Sequence, residues 1–271
     1  MRSPEHPGKY RAVRWLGRHV IPTEGLVAEV DPRVRLSLHP RDWIEYLLIR
    51  EGRYEPLTLA FVSRNLRPSD HAIFAGVNNG LHVIVAARAV GDTGCVIGVD
   101  PQPAALLRTR RNIDLNGVAS SVRLVAAALG DEAALTHMPW AHPENPGAAS
   151  LLDSGPGLEV PVVTLAAVLE GLGSTAIRLM LLDVQGYEAP ALRGLKQHRP
   201  DLLIVEDSEE YLARAGSSRA DLYSQLREMG YALHDVFGTE IAESGPSPAE
   251  FNIVGIRRGA DVNWCLPTNE R

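Results

Sequence analysis

The chain has 271 residues, 45% of them apolar and 22% charged, with a formal net charge of -6. That supplies enough apolar material for a sizeable core, and it leaves no general excess of positive charge for a phosphate backbone, so nucleic acid is not an expected partner. No apolar run approaches the roughly 18 residues of a membrane span, and the N-terminus lacks the apolar stretch of a signal peptide, so a cytoplasmic protein without a membrane partner is expected.

Residues 1–40 carry several Pro and Gly and little periodicity, and they read as an irregular arm. Its first part is basic (Arg2, Lys9, Arg11, Arg14, Arg18) and reads as a solvated tail. The arm is also a candidate contact for a homodimer. Trp43, Ile44, Leu47 and Leu48, followed by Leu57, Leu59, Phe61, Val62 and Leu66, predict two helices broken near Glu51-Gly52-Arg53. Residues 1–66 are therefore an arm and helical cap, 67–258 the main domain and 259–271 a tail.

From residue 70 strand-like and helix-like segments alternate. Residues 71–75 read as a strand stopped by Gly76, and 81–90 as a helix. Residues 95–99 read as a second strand ending at Asp100, 103–115 as a helix stopped by Asn116-Gly117, and 122–128 as a third strand. Residues 137–158 break the rhythm and read as a long loop, the kind of segment that carries function when it lies inside a compact domain. The pattern then resumes with 160–163 extended, 164–171 helical, a strand 177–182 ending at Asp183 and a helix 188–197. A strand 202–205 ends at Glu206, and a helix 218–229 is closed by Gly230. The last two segments, 231–236 and 251–256, read as an antiparallel pair at one edge. The expected class is α/β: a Rossmann-like, mostly parallel seven-stranded sheet with helices on both faces and an N-terminal helical extension.

In an open parallel sheet, ligands sit beyond the carboxyl ends of the strands. Here those ends carry Gly76-Val77-Asn78-Asn79-Gly80, Asp100, Asp183 and Glu206. The glycines permit a tight turn and close approach of a ligand to the backbone. A carboxylate at Asp100 can accept both hydroxyls of a ribose. The G-x-G-x-x-G pyrophosphate cradle of dinucleotide enzymes is missing, which favours an adenosine cofactor without phosphate, S-adenosylmethionine. Cofactor contacts are expected from Gly76, Asn78, Asn79, Gly80, Asp100, Pro101, Ala128 and Asp183. Catalytic candidates are Asp183, Glu206 and His82, whose pKa range suits a general base. His137 and His142 of the long loop and Glu188 are further polar candidates, His137 and Glu188 for substrate. Cys95 and Cys265 form no zinc spacing, and no metal is expected.

The chain resembles the FkbM-type methyltransferases. Their first loop, D-V-G-A-N-x-G, corresponds to Phe74 through Gly80, and their acid-Pro-x-Pro to Asp100-Pro101-Gln102-Pro103. N-I-x-L-N-G corresponds to Asn112 through Gly117, and A-L-x-D to Ala128-Leu129-Gly130-Asp131. K-I-D-V-E-G-x-E corresponds to Leu181 through Glu188, and the P-x-x-x-x-E strand to Pro200 through Val205 followed by Glu206. G-x-Y-E-P corresponds to Gly52 through Pro56, and Asn252 matches an Asn near the final strand. The resemblance covers about residues 42–257 and implies an S-adenosylmethionine-dependent O-methyltransferase acting on a hydroxyl of a small natural product or sugar. It also raises Glu55 as a substrate contact. Phe74 and Gln185 stand where the family has acids, Val77 replaces an Ala and Leu181 a Lys. Those departures motivate the alternative of a catalytically inactive binding or scaffold protein.

Overall fold

The computed structural model describes residues 15, 21, 25–140, 147, 149–171, 176–242 and 252–265. The basic run from Arg2 to Arg18 and His142 of the long loop lie outside the described residues. Strands β1 (Leu26–Val30) and β2 (Val34–Leu38) form an antiparallel hairpin. Period-two alternation turns Val34, Leu36 and Leu38 inward, all fully buried. This corrects the expectation of an irregular arm through residue 40. Each strand is only five residues long, too short for its alternation to stand out among the flanking Pro and Gly.

Helix α1 (Trp43–Glu51) starts at Asp42, whose carboxylate accepts from the backbone N–H of Ile44 and Glu45. Gly52, left-handed at φ 70°, ends it. Helix α2 (Pro56–Asn65) follows with proline in its first turn. Then come β3 (His71–Ala75), α3 (Leu81–Val90), β4 (Cys95–Asp100), α4 (Pro103–Asn116) and β5 (Val122–Ala126).

Strands β6 (Ala128–Leu129), β7 (Ala134–Pro139) and β8 (Gly157–Val163) make a separate sheet of order β6-β8-β7. Two expectations change here. The third strand breaks at Ala127 and continues in the other sheet, and the expected loop 137–158 begins and ends in paired strand, Pro139 facing Gly157. The signal was weak because β7 is largely exposed and two prolines, Pro139 and Pro161, interrupt the pair.

The remainder is α5 (Leu165–Glu170), β9 (Leu179–Leu182), α6 (Glu188–Arg193), β10 (Leu202–Glu206), α7 (Glu209–Arg214), α8 (Arg219–Glu228), β11 (Tyr231–His234) and β12 (Asn252–Arg257). Helix α7 was not anticipated. It is a single six-residue stretch capped by Ser208.

The large sheet has the order β11-β12-β10-β9-β3-β4-β5. Every neighbour pair is parallel except those of β12, which runs against both β10 and β11. From β3 the chain winds outward to β4 and β5, then returns to β9 on the other side. The crevice between β3 and β9 is the topological switch point, where such sheets bind ligands. Alternate residues of each strand enter different cores. Phe74, Leu181 and Ile204 pack with the hairpin and α1–α3, whereas Ile73, Ala75, Met180 and Val205 pack with α5, α6 and α8. No described helix is long and apolar enough to cross a membrane.

Candidate active site

A cavity of about 280 Å³ opens at the switch point. It is lined by the loop after β3, the ends of β4, β9 and β10, α1 from the cap, and Met138, Ala149 and Leu151 from the β7–β8 region.

At one end lies the loop 76–80. Gly76, Asn78 and Gly80 are all left-handed, at φ 83°, 48° and 87°. A Cβ at Gly76 would sit 1.9 Å from the Asp183 carbonyl oxygen, so no larger residue fits between β3 and β9. The loop's backbone groups are almost all engaged by named partners. Val77 N–H donates to Asp100 Oδ2 at 3.1 Å, Thr109 Oγ1 donates to the Asn78 carbonyl, and Asn112 Nδ2 donates to the Asn79 carbonyl at 2.8 Å. Asn79 Oδ1 accepts from the Leu81 N–H at the start of α3. Asp100 also accepts from Gln102 N–H at 2.8 Å. Burial lifts its carboxyl to about 6, and the N–H groups of Gln102, Val77 and Asn78 oppose that rise. Among the described residues Asn78 Oδ1 is buried without a hydrogen-bond partner, and Asn78 belongs to the cavity lining.

At the other end four elements bring charge together. Glu55 precedes Pro56 and is left-handed at φ 43°, a conformation that a residue before proline disfavours. Its side chain makes no capping bond to α2 and lines the cavity instead. Glu55 Oε2 is 3.2 Å from His82 Nε2, a close contact not aligned as a hydrogen bond. Burial together with the neighbouring Glu55 carboxylate holds the Tyr54 phenol firmly protonated. Asp183 ends β9 and Glu206 ends β10, and the two carboxyls are hydrogen-bonded to each other. Burial and the neighbouring Asp183 push Glu206 far above the usual carboxylate range. Asp183 rises too, chiefly through burial and Glu55, but hydrogen bonds from Gln185 and Glu206 hold it back. Both carboxyls are thus pushed toward the protonated form, and the pair is set to share a proton.

Of the residues singled out in the sequence, Gly76, Asn78, Asn79, Asp100, Pro101, Ala128, Asp183, Glu206, His82 and Glu55 all line this one cavity. Gly80 lies just behind, against Thr109. Two others need correction. Glu188 is 1% exposed and turned inward, its Oε1 accepting from the N–H of Val184 and Gly186. Its acid sits in the first turn of α6, so it closes its own loop rather than facing a substrate. His137 is exposed on β7, with Nε2 2.9 Å from the Gly155 carbonyl, away from the cavity lining. Alternation on a strand had no buried face to orient it.

Four lining side chains went unnoticed: Tyr54, Tyr187, Tyr211 and Arg108. Tyr54 stands inside the Gly52–Pro56 segment and was within reach of the same argument as Glu55. Arg108, near Asp42 at 3.5 Å and Glu45 at 3.8 Å, ties α4 to the cap, and no local pattern announces that pairing. Among the described residues no group of three or more His, Cys, Asp and Glu side chains is arranged to hold a metal ion.

A seven-stranded sheet with one reversed strand near its edge, a glycine loop without a phosphate cradle and an acid ending the next strand make the Rossmann-like fold of S-adenosylmethionine-dependent methyltransferases. The FkbM methyltransferase domain matches residues 75–233, more than half of the chain, and the chain belongs to this methyltransferase family. No curated protein matches it. Solved structures similar to it include a methyltransferase from Geobacter sulfurreducens, at 14% identity and TM-score 0.45, covering 79% of this chain and 85% of that one. Another is an S-adenosylmethionine-dependent O-methyltransferase from Thermotoga maritima, at 13% identity and TM-score 0.44, covering 78% of this chain and 69% of that one. A third is the O-methyltransferase of Bacillus cereus in complex with S-adenosylhomocysteine, at 10% identity and TM-score 0.42, covering 94% and 92%.

Proposed function

We propose that the protein is an S-adenosylmethionine-dependent O-methyltransferase acting on a hydroxyl of a small natural product or sugar. The observation that carries this reading is the polarity of the cavity. One end offers a backbone loop and the Asp100 carboxylate, and the other offers the paired carboxyls of Asp183 and Glu206.

The residues present fit the cofactor. Asn78 Oδ1 is an orphaned acceptor in the cavity wall, suited to an ammonium or hydroxyl donor. The Asp100 carboxylate keeps acceptor capacity beyond that taken by Val77, Asn78 and Gln102 for a ribose hydroxyl. Gly76 to Asn79 would face the methionine portion, and Pro101 and Ala128 the nucleoside. When bound, the cofactor supplies a methyl group already activated by a positively charged sulfur.

The chain's own work is then alignment, proton removal and exclusion of water. Asp183 accepts the hydroxyl proton as attack proceeds. Glu55 and His82 orient the acceptor from the cap side, and Tyr54 fixes Glu55. Helix α1, through Trp43, Ile44 and Leu47, closes the cavity against solvent.

Titration calorimetry with S-adenosylmethionine tests this reading. Saturable binding is expected, and a flat isotherm at millimolar cofactor sinks it. Mass spectrometry of small molecules that co-purify identifies the acceptor.

A second reading, a binding module without turnover, is favoured by Phe74. It stands where the family has an acid, and it is 1% exposed in the core. Methyl transfer by the unaltered chain to any acceptor rules it out.

A further inference from the structure

Gln185 lies between the two strand-end carboxyls. Its Nε2 donates to Asp183 Oδ1 at 2.6 Å and to Glu206 Oε2 at 3.2 Å. Where the resemblance implies an acid, this chain has a neutral donor.

We propose that Gln185 is a positioning residue that fixes the proton of the Asp183–Glu206 pair on Glu206 and thereby keeps Asp183 as the oxygen anion that takes the acceptor's proton. This rests on the methyl-transfer reading. The shorter contact goes to Asp183, and a donated hydrogen bond favours the charged form of the group receiving it. Asp183 thus receives the short contact from the amide, whereas Glu206 receives the long one and otherwise meets negative charge.

The surroundings work in the same direction. Glu55 and Tyr54 face the pair from the start of α2, His82 from α3, Glu188 from α6 and Tyr211 from α7. Apart from His82 each of these is acidic or a phenol, so the cluster favours a bound proton. Gln185 decides which carboxyl keeps it.

The main chain holds the amide in place. Gln185 is left-handed at φ 54°, unusual for a residue with a side chain. Its carbonyl accepts from Ser150 Oγ at 2.7 Å, and Ser150 is itself 1% exposed. Gly186 is pressed so close to the Tyr211 carbonyl that a Cβ would lie 2.6 Å from it. Neither side of the residue is free to relax.

With the cofactor bound, Asp183 would take the acceptor's hydroxyl proton as that oxygen gained the methyl group, and the cofactor would keep the bonding electron pair on its sulfur as a neutral thioether.

The test is a pH titration of the Asp and Glu side-chain carboxyls by carbon-detected NMR in the full chain, comparing wild type with Gln185→Leu and Gln185→Glu. Removal of the donor in the Leu variant is expected to raise the Asp183 midpoint by about one pH unit or more. The Glu variant raises it further. An Asp183 midpoint unmoved in a folded Leu variant overturns the proposal. If the Leu variant does not fold, the isosteric Glu variant is judged by the same criterion, and Gln185→Asn is expected to restore part of the wild-type midpoint. Calorimetry with S-adenosylmethionine on wild type is run alongside. A moved midpoint without cofactor binding removes the methyl-transfer reading and leaves the proton placement standing.

Discussion

The two ends of the cavity are held together by different means. At the cofactor end the backbone does most of the bonding: Val77 and Gln102 N–H groups clasp Asp100, and side chains of α4 clasp the loop carbonyls. At the acceptor end side chains bond side chains, with Gln185, Asp183 and Glu206 in one cluster and Glu55 and His82 beside it. The first arrangement places a fixed shape and the second places movable protons. A site for a constant cofactor suits the former, and a site that must remove a proton suits the latter.

Four substitutions sharpen that contrast. The largest effect is expected from Gly76→Ala at the cofactor end. Its Cβ would collide with the Asp183 carbonyl at 1.9 Å, and the residue is left-handed. Clash and strain together are expected to cost about 4 kcal/mol or more, read as a lowered denaturant midpoint. An unchanged midpoint would show that the two strand ends are less tightly joined than described. Next comes Asp183→Asn, which removes the proposed proton acceptor. Methyl transfer, measured with an acceptor found by screening hydroxylated compounds, is expected to fall roughly 100-fold or more while cofactor affinity changes little. An equal loss in both would merge the two ends into one function.

The third is a stability effect. Burial raises Glu188 to about 7 from an ordinary 4.5, so the folded state binds this proton more tightly than the unfolded state does. Its contribution is fully present below the unfolded value and is lost as pH rises through 7. Wild type is therefore expected to lose stability between pH 4.5 and 7 in step with this group. Glu188→Gln keeps an acceptor for Val184 and Gly186 and is expected to be the more stable protein at pH 8, by about 2 kcal/mol. Urea unfolding at several pH values reads this directly, and parallel curves for the two proteins would contradict it. The smallest effect is Asp100→Ala, expected to weaken S-adenosylmethionine about tenfold by calorimetry through loss of a charged acceptor.

Much of the fold and of the cofactor end was legible because the determinants are local. The strands at 71–75 and 95–100 are short apolar runs ended by Gly76 and Asp100, and the helices that follow them close on Gly91 and Gly117. Glycine loops and strand-end acids announce themselves in a few neighbouring residues. The hairpin at 26–38 and the strand at 134–139 were not legible, since five or six residues fixed by packing elsewhere leave little periodicity. The acceptor end was half legible. Asp183, Glu206 and Glu55 could be picked out singly, but the role of Gln185 depends on two carboxyls reaching it from two strands. In the sequence it registered only as a missing acid. Glu188 misled for the opposite reason, because a carboxylate at a helix start looks alike whether it faces a ligand or its own backbone.

The asparagine pair on α4 has a mechanical meaning. Asn112 donates to the Asn79 carbonyl and accepts from the Ser37 N–H at 2.8 Å, while Asn116 bonds both the N–H and the carbonyl of Arg35. One side chain thus rivets the ligand loop to the hairpin, and the hairpin becomes a strut for the binding site. Amide exchange at Ser37 would then report, from a distance, whether the loop is filled.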